Sequence, residues 1–442
     1  MLMELTLKTF KSYLNARLPL GPLTVLIGAN ASGKSNAIEG LRLLSWLAQG
    51  QKLSSIQYAV QNSERVVRGR VNDLGYVGAE RFGIGCKTSL SDWNELEIAI
   101  ELRDDGLHIV SESIISPTTT VPLYVLDQPS EGRSSDAGVA YNNFARGGKK
   151  PHITCIDQTA IFTQLDSPAA FSAEHKNARR IIPKTVRQYQ EWLSNILFLD
   201  PAPGKMRDYS FPSDRRLVGD GTNLSSVLYA LWGTDDIESD TAIQEQREAI
   251  LRFIQSLPEQ DIGTLSFLHG PRGEVMVELV ETFGGEERRY DASLLSDGTL
   301  RVLAIAAAML SAAAGSLVVI EEIDNGVHPS RARHLLEQIQ EIAQRRSLRV
   351  LLSTHNPAML DALPESAVPD VVFCYRDSGD GSSRLVRLEE VPDYPELIAQ
   401  GTLGHLMTSG TLERFVKRHP GNKERKKRAL AWLEKIRVGR GE

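Results

Sequence analysis

The sequence predicts an α/β fold in which a strand–loop–helix core carries an antiparallel β lobe and a mainly helical insertion. Three observations predict it. The apolar run Leu23-Thr24-Val25-Leu26-Ile27 leads through Gly28-Ala29-Asn30-Ala31-Ser32-Gly33-Lys34-Ser35 into a stretch from Asn36 to Leu44 with helical apolar spacing. Residues 96–102 alternate apolar and polar, and Asp104-Asp105-Gly106 turns them into a second strand-like run. Between about residues 158 and 254 the apolar period lengthens to that of helices, as at Val186, Tyr189, Leu193 and Ile196.

The glycine-bounded stretch is a phosphate-binding P-loop. Its glycines let backbone N–H groups turn inward on phosphate oxygens, and the following helix N-terminus adds partial positive charge. Lys34 is placed to reach the β- and γ-phosphates of ATP, and the Ser35 hydroxyl to ligate Mg²⁺. Gly28, Asn30, Gly33, Lys34, Ser35 and Asn36 are the candidate nucleotide contacts here.

At 442 residues the chain is long enough for two or three domain-sized units. It is 41% hydrophobic and 24% charged with a net charge of -6, an ordinary globular balance that points neither toward nucleic acid nor away from it. The three cysteines (Cys86, Cys155 and Cys374) are far apart, fit a reducing cytoplasm and offer no metal-ligand spacing. The N-terminus lacks a basic region followed by a long apolar core, so no signal peptide is expected. Residues 302–320 are uncharged and long enough to span a membrane. Gly315 divides them into an alanine-rich helix and a buried strand, so no membrane association is expected.

In chain order, residues 1–126 form the first predicted unit. Strands at 4–10 and near 15–18 precede the P-loop strand, the P-loop helix runs to about Ala48, and β-like signals fill 66–125, including Arg68-Gly69-Arg70-Val71. Residues 127–260 form the second. A long loop over 127–152 precedes helices at 185–199, stopped by Pro201 and Pro203, at 224–231, capped by Asp220 to Asn223, and at 243–257, stopped by Pro258. Residues 261–410 form the third, with strands near 273–280 and 288–290. Residues 411–442 form a basic helical tail around Lys423-Glu424-Arg425-Lys426-Lys427-Arg428. Two readings of the tail stand: nucleic-acid phosphate binding, or a solvated or partner-docking helix.

Further stretches gain meaning beside the P-loop. Ser316-Leu317-Val318-Val319-Ile320-Glu321-Glu322 is an apolar strand ending in two carboxylates: the first suits Mg²⁺, held through water, and the second the attacking water. Leu295-Ser296-Asp297-Gly298-Thr299 opens the helix before it, a second anion site. Leu351-Leu352-Ser353-Thr354-His355 is a later strand ending in a histidine.

This order resembles the ABC-type ATPases, whose signature motif follows a long insertion after the P-loop. Phe10-Lys11-Ser12-Tyr13 and the run from Glu321 to Pro329 are similar to the RecF/SMC-like branch. The resemblance implies an ABC-ATPase-like head that dimerises around ATP and Mg²⁺. Ser296 and Gly298 would act on the site of the second copy, His355 would contact the γ-phosphate, Lys11 would lie near the nucleotide, and Gln158 would be the Q-loop glutamine. Glu322 would be the catalytic carboxylate, with Ser35 and Glu321 serving the metal.

Asp220-Gly221-Thr222-Asn223-Leu224 and the ending from Leu403 to Gly410 look like stand-alone "AAA family ATPases" of bacterial anti-phage defence. That likeness implies a separately encoded effector, a nuclease or toxin. A RecF-type DNA-repair ATPase and a slow-turnover nucleotide-gated scaffold are the alternatives. Two features depart from the pattern: Glu321 stands where most ABC relatives carry Asp, and there is no SMC-type coiled coil or TOPRIM pattern.

Overall fold

The computed structural model describes residues 1–56, 66–132, 134–233, 241–254, 262–325 and 327–418. The core is a six-stranded sheet in the order β10 (Leu197–Leu199), β14 (Leu317–Ile320), β15 (Arg349–Ser353), β3 (Leu23–Ile27), β16 (Val371–Arg376), β17 (Ser383–Arg387). The first five run parallel and β17 closes the edge antiparallel. Apolar runs without alternation suit such strands because both faces are covered. Val25, Ile27, Val318, Ile320, Val350 and Leu352 enter one core, while Leu26, Leu317, Val319 and Leu351 enter the other.

The second of those cores lies under an eight-stranded antiparallel sheet. Its order is β2 (Tyr13–Pro19), β1 (Leu2–Phe10), β4 (Arg81–Thr88), β5 (Glu95–Arg103), β6 (Gly106–Ile115), β7 (Tyr124–Gln128), β8 (Asp136–Tyr141), β9 (His152–Ile156). Helices α1 (Lys34–Ala48) and α2 (Lys176–Ser194) bury Leu41, Leu44, Ile182 and Tyr189 in the same core. The other core is filled from α3 (Leu224–Trp232), α4 (Thr241–Ile254), α5 (Asp297–Ser311) and α6 (Ala332–Arg345). A third sheet, β11 (Ile262–His269), β12 (Val275–Phe283) and β13 (Glu286–Asp291), flanks them. The apolar stretch at 302–320 is thus α5 plus β14, both buried, and no helix among the described residues is long and apolar enough to cross a membrane.

Four sequence expectations change. Residues 68–71 are not a strand. The Asp73 carboxylate accepts the Arg70 N–H at 2.7 Å and draws the chain into a short 3-10 turn at Val71–Asp73. Residues 127–152 are not one long loop, because β8 and the start of β9 extend the antiparallel sheet. Gly138 lets β8 lie close to Gln128, a packing role that the residue's turn-like character conceals.

The helix expected at 185–199 instead begins at Lys176, runs through Pro183 and ends at Ser194. Leu197 to Leu199 pair with β14, since a buried edge of the parallel sheet satisfies their backbone groups better than another helical turn would. Asn223 precedes α3 without capping it: its side chain accepts the Val218 N–H at 2.9 Å and donates to Arg216 O. The far end of the helix expected at 243–257, with Pro258, lies outside the described residues, as does the basic stretch from 419 to 442.

Candidate active site

The carboxyl ends of β3, β14, β15 and β16 meet at one edge of the parallel sheet, where ligands of such sheets bind. A cavity of about 480 Å³ opens there. Lys11, Asn30, Gly33, Lys34, Ser35, Asn36, Glu321, Glu322 and His355 line it, so residues spread over 345 positions of sequence come together. Gly28 lies just behind, its carbonyl accepting a bond from Lys34 Nζ at 2.6 Å.

The loop takes its shape from two glycines. Gly28 has φ +146° and Gly33 φ +121°, where a side chain would be strained, and a Cβ at either would collide with Cys374 O or Ser383 Oγ. The first N–H groups of α1 have no intrahelical partner and carry the positive end of its dipole. Lys34 Nζ donates to the carbonyls of Gly28 and, at 3.1 Å, Ala29. Burial pulls its pKa down, opposed by Cys374 and by the carboxylates of Glu322 and Asp324. Ser32 Oγ is buried with no partner among the described residues. A tight cradle, free N–H groups, a cation bonded only to carbonyls and an orphaned hydroxyl together fit a nucleotide's phosphates.

The acidic pair sits at the end of β14. Glu321 Oε1 accepts from Arg42 Nη2 at 2.9 Å, and that guanidinium lies 4.6 Å above the Phe198 ring. Glu321 is therefore held toward α1, the helix that also carries Ser35, and a carboxylate and a hydroxyl are the hard oxygen donors that Mg²⁺ takes. Glu322 departs from strand geometry with φ +47°, an unusual conformation for a non-glycine residue. Its N–H donates to Ser353 Oγ at 3.0 Å and its carboxylate accepts from Asn325 Nδ2 at 2.7 Å. Asp324 accepts from Thr354 Oγ1 at 2.6 Å and lies 3.6 Å from His355 Nδ1. It thus joins the acidic turn to the histidine strand.

Lys11, at φ +48°, does not project freely into the cavity. Its ammonium pairs with buried Glu39 and donates to Arg68 O at 2.6 Å, while Arg68 Nε reaches the same Glu39 carboxylate at 2.6 Å. Ser296 caps α5, its Oγ accepting the Thr299 N–H at 3.1 Å, and neither it nor Gly298 lines the cavity. Gln158 is not brought to the site. It donates to Leu107 O at 2.9 Å beside the buried His108–Asp157 pair, because β9 belongs to the antiparallel sheet rather than to the core.

Sequence reasoning placed Asp324 in the D-loop run without a partner, and missed Arg42, Glu39, Arg68, Ser353, Thr354 and Arg376. Ser353 and Thr354 stand beside residues already singled out and could have been found by adjacency. The arginines carry no local signal.

A P-loop strand at the centre of a parallel sheet, an acidic strand two places away, and an antiparallel lobe beside them define a P-loop domain of the AAA class. The chain matches the family described as "AAA domain, putative AbiEii toxin, Type IV TA system" over residues 23–109 and 160–361, more than half its length, and belongs to that family. Among solved structures, the SMC head bound to the C-winged helix domain of ScpA is 14% identical, with TM-score 0.47, covering 87% of this chain and 97% of that one. The SMC head domain from Thermotoga maritima is 14% identical, with TM-score 0.39, covering 87% and 98%. The Smc head domain with an extended coiled coil, bound to the C-terminal domain of ScpA derived from Pyrococcus furiosus, is 15% identical, with TM-score 0.46, covering 88% and 97%. No curated protein matches.

Proposed function

We propose that this chain is a switch ATPase that binds and hydrolyses ATP between two copies of itself. The observation that carries the reading is the meeting of Lys34, Ser35, Glu321, Glu322 and His355 in one cavity. Lys34 and the α1 N-terminus bind the β- and γ-phosphates. Ser35 and Glu321 would hold Mg²⁺, which would supply neutralising charge at the phosphate oxygens. Glu322 accepts a proton from the attacking water, and His355, kept near Asp324, contacts the γ-phosphate. Ser296 and Gly298, which do not line the cavity of their own chain, complete the site of the second copy.

The family description names a putative toxin of a type IV TA system, which supports a toxin–antitoxin or defence role over DNA repair; the separately encoded nuclease or toxin as effector follows from the resemblance of residues 220–224 and 403–410 to stand-alone defence ATPases. The Arg42–Glu321 ion pair favours slow turnover, because the metal has to compete with a guanidinium for Glu321. The nucleotide-gated scaffold is therefore the second reading.

Replacing Glu322 by Gln tests the first. Hydrolysis should fall by about 100-fold or more, the scale of a lost general base, while an ATP-bound dimer accumulates on size exclusion. Hydrolysis as fast as wild type would sink the assignment. The steady-state rate with and without DNA, and co-purification with the product of the adjacent gene, separate repair from defence: DNA stimulation favours the former, a stable complex at a low rate the latter.

A further inference from the structure

Behind the phosphate loop lies a buried polar cluster that no role above uses. Tyr13, Cys374 and Ser383 are each fully buried, and Tyr13 and Ser383 do not line the cavity. The Tyr13 hydroxyl donates to Gly33 O at 3.0 Å, and Ser383 Oγ donates to Ser32 O at 2.6 Å. Cys374 Sγ also donates to Ser32 O, at 3.3 Å. Ser383 Oγ and Ser12 Oγ lie 2.8 Å apart, Asn36 Nδ2 donates to Ser12 Oγ at 2.7 Å, and Ser383 N–H donates to Ser12 O at 2.7 Å. Side chains from β2, β16 and β17 thus grip two consecutive carbonyls of a loop more than 340 positions away from the last two.

Peptide planarity gives those bonds a consequence. In a trans peptide the C=O and the following N–H point in opposite directions. The peptide bonds among the described residues are all trans. Anchoring Ser32 C=O and Gly33 C=O toward the cluster therefore turns the N–H groups of Gly33 and Lys34 the other way, toward the cavity. We infer that Tyr13 and Ser383 are positioning residues for the phosphate site, acting through the Ser32–Gly33 and Gly33–Lys34 peptide planes to aim two N–H donors at the nucleotide. This rests on the reading of the cavity as an ATP site. Gly33 C=O also accepts the Ala37 N–H at 3.1 Å, so α1 supports that plane independently. Ser32 C=O has no helical support and depends on the cluster.

The donor role requires a protonated phenol. Burial, reinforced by Cys374, raises the Tyr13 pKa well above its ordinary value, so the proton stays in place. The close fit also accounts for Gly33, where a Cβ would meet Ser383 Oγ and lie 3.0 Å from Tyr13 Oη.

Tyr13→Phe and Ser383→Ala each remove one donor and little volume. Calorimetric titration with MgATP should show Kd raised about tenfold in each, the effect of one badly aimed charge-assisted hydrogen bond. The melting midpoint without nucleotide should stay within about 3 °C of wild type, since one hydrogen bond is a small part of a core this large. Tyr124→Phe removes a buried hydroxyl of the same kind, bonded to Glu112 rather than to the loop, and should leave Kd within about twofold. Three results would overturn the inference alone: unchanged Kd in Tyr13→Phe and Ser383→Ala, an equal loss in Tyr124→Phe, or a weakened Kd accompanied by a much lower midpoint without nucleotide. A wild-type chain that does not bind MgATP overturns the ATP-site reading as well.

Discussion

Lys34 and Glu39 belong to the same helix and face opposite demands. Lys34 is bonded only to carbonyls at the mouth of α1, so phosphate oxygens offer it a better partner than it now has. Glu39, further along, is buried and neutralised by Lys11 and Arg68, a pairing that holds the β1–β2 turn against α1. The first role was legible because its neighbours in sequence define it. The second was not, because Arg68 reaches Glu39 from another part of the chain.

Glu112, fully buried on β6, shows what the same chemistry does away from the cavity. It accepts from Tyr124 Oη at 2.6 Å and from the N–H groups of Ile161 and Phe162 at 2.8 and 2.7 Å. Burial nonetheless raises its pKa from 4.5 to about 7, against the opposing effect of those bonds. The folded state therefore holds this proton more tightly than the unfolded chain. The resulting stabilisation is full below pH 4.5 and is lost as pH rises through about 7, by roughly 3 kcal/mol at most. Melting midpoints of wild type and Glu112→Gln from pH 5 to 8 should diverge in slope, with wild type falling more steeply. Parallel curves would show that Glu112 does not titrate in this window.

Elements follow the same division between local and distant causes. Strands β5 and β6 were legible because their alternation and the Asp104-Asp105-Gly106 turn are local. Strand β8 was not: Gly138, Tyr141 and the flanking serines and asparagines resemble a loop until β7 and β9 pair on either side. Hydrogen exchange checks this directly. Amides of residues 137–140 should be protected on the order of 100-fold more than those of the 143–151 connection, because they sit inside a sheet. Equal exchange would mean that the strand does not persist. Strand β10 is the parallel case in the core: three residues read as the end of a helix become the sheet edge beside β14, and Glu321 N–H donates to Leu199 O at 3.1 Å there.

At the scale of the whole molecule, the proposed site is divided between copies. The P-loop and acidic strand share a cavity, while Ser296 opens α5 outside it. Specific ATPase activity should therefore rise with protein concentration until the dimer is saturated; a flat profile would favour hydrolysis by a monomer. A complementation experiment is sharper. Lys34→Ala and Ser296→Ala should each be inactive alone. An equal mixture should recover roughly a quarter of wild-type activity, since half of the dimers are mixed and each mixed dimer keeps one intact site. No recovery would remove Ser296 from the second copy's site.

Residue order alone carries the parts whose chemistry lies among neighbours: the P-loop, the paired carboxylates after β14, the histidine after β15, and their succession along the chain. That order sufficed to identify the class, because loop glycines and strand-end carboxylates do their work within a few residues. Which other groups meet them depends on the fold. It placed Arg42 on Glu321, Asp324 beside His355, and Tyr13 and Ser383 behind the loop, and it drew Gln158 away into the antiparallel sheet. The physical reason is that hydrogen bonds and ion pairs act over a few ångströms in space, whatever the separation along the chain, and a linear pattern records only the contacts between neighbours.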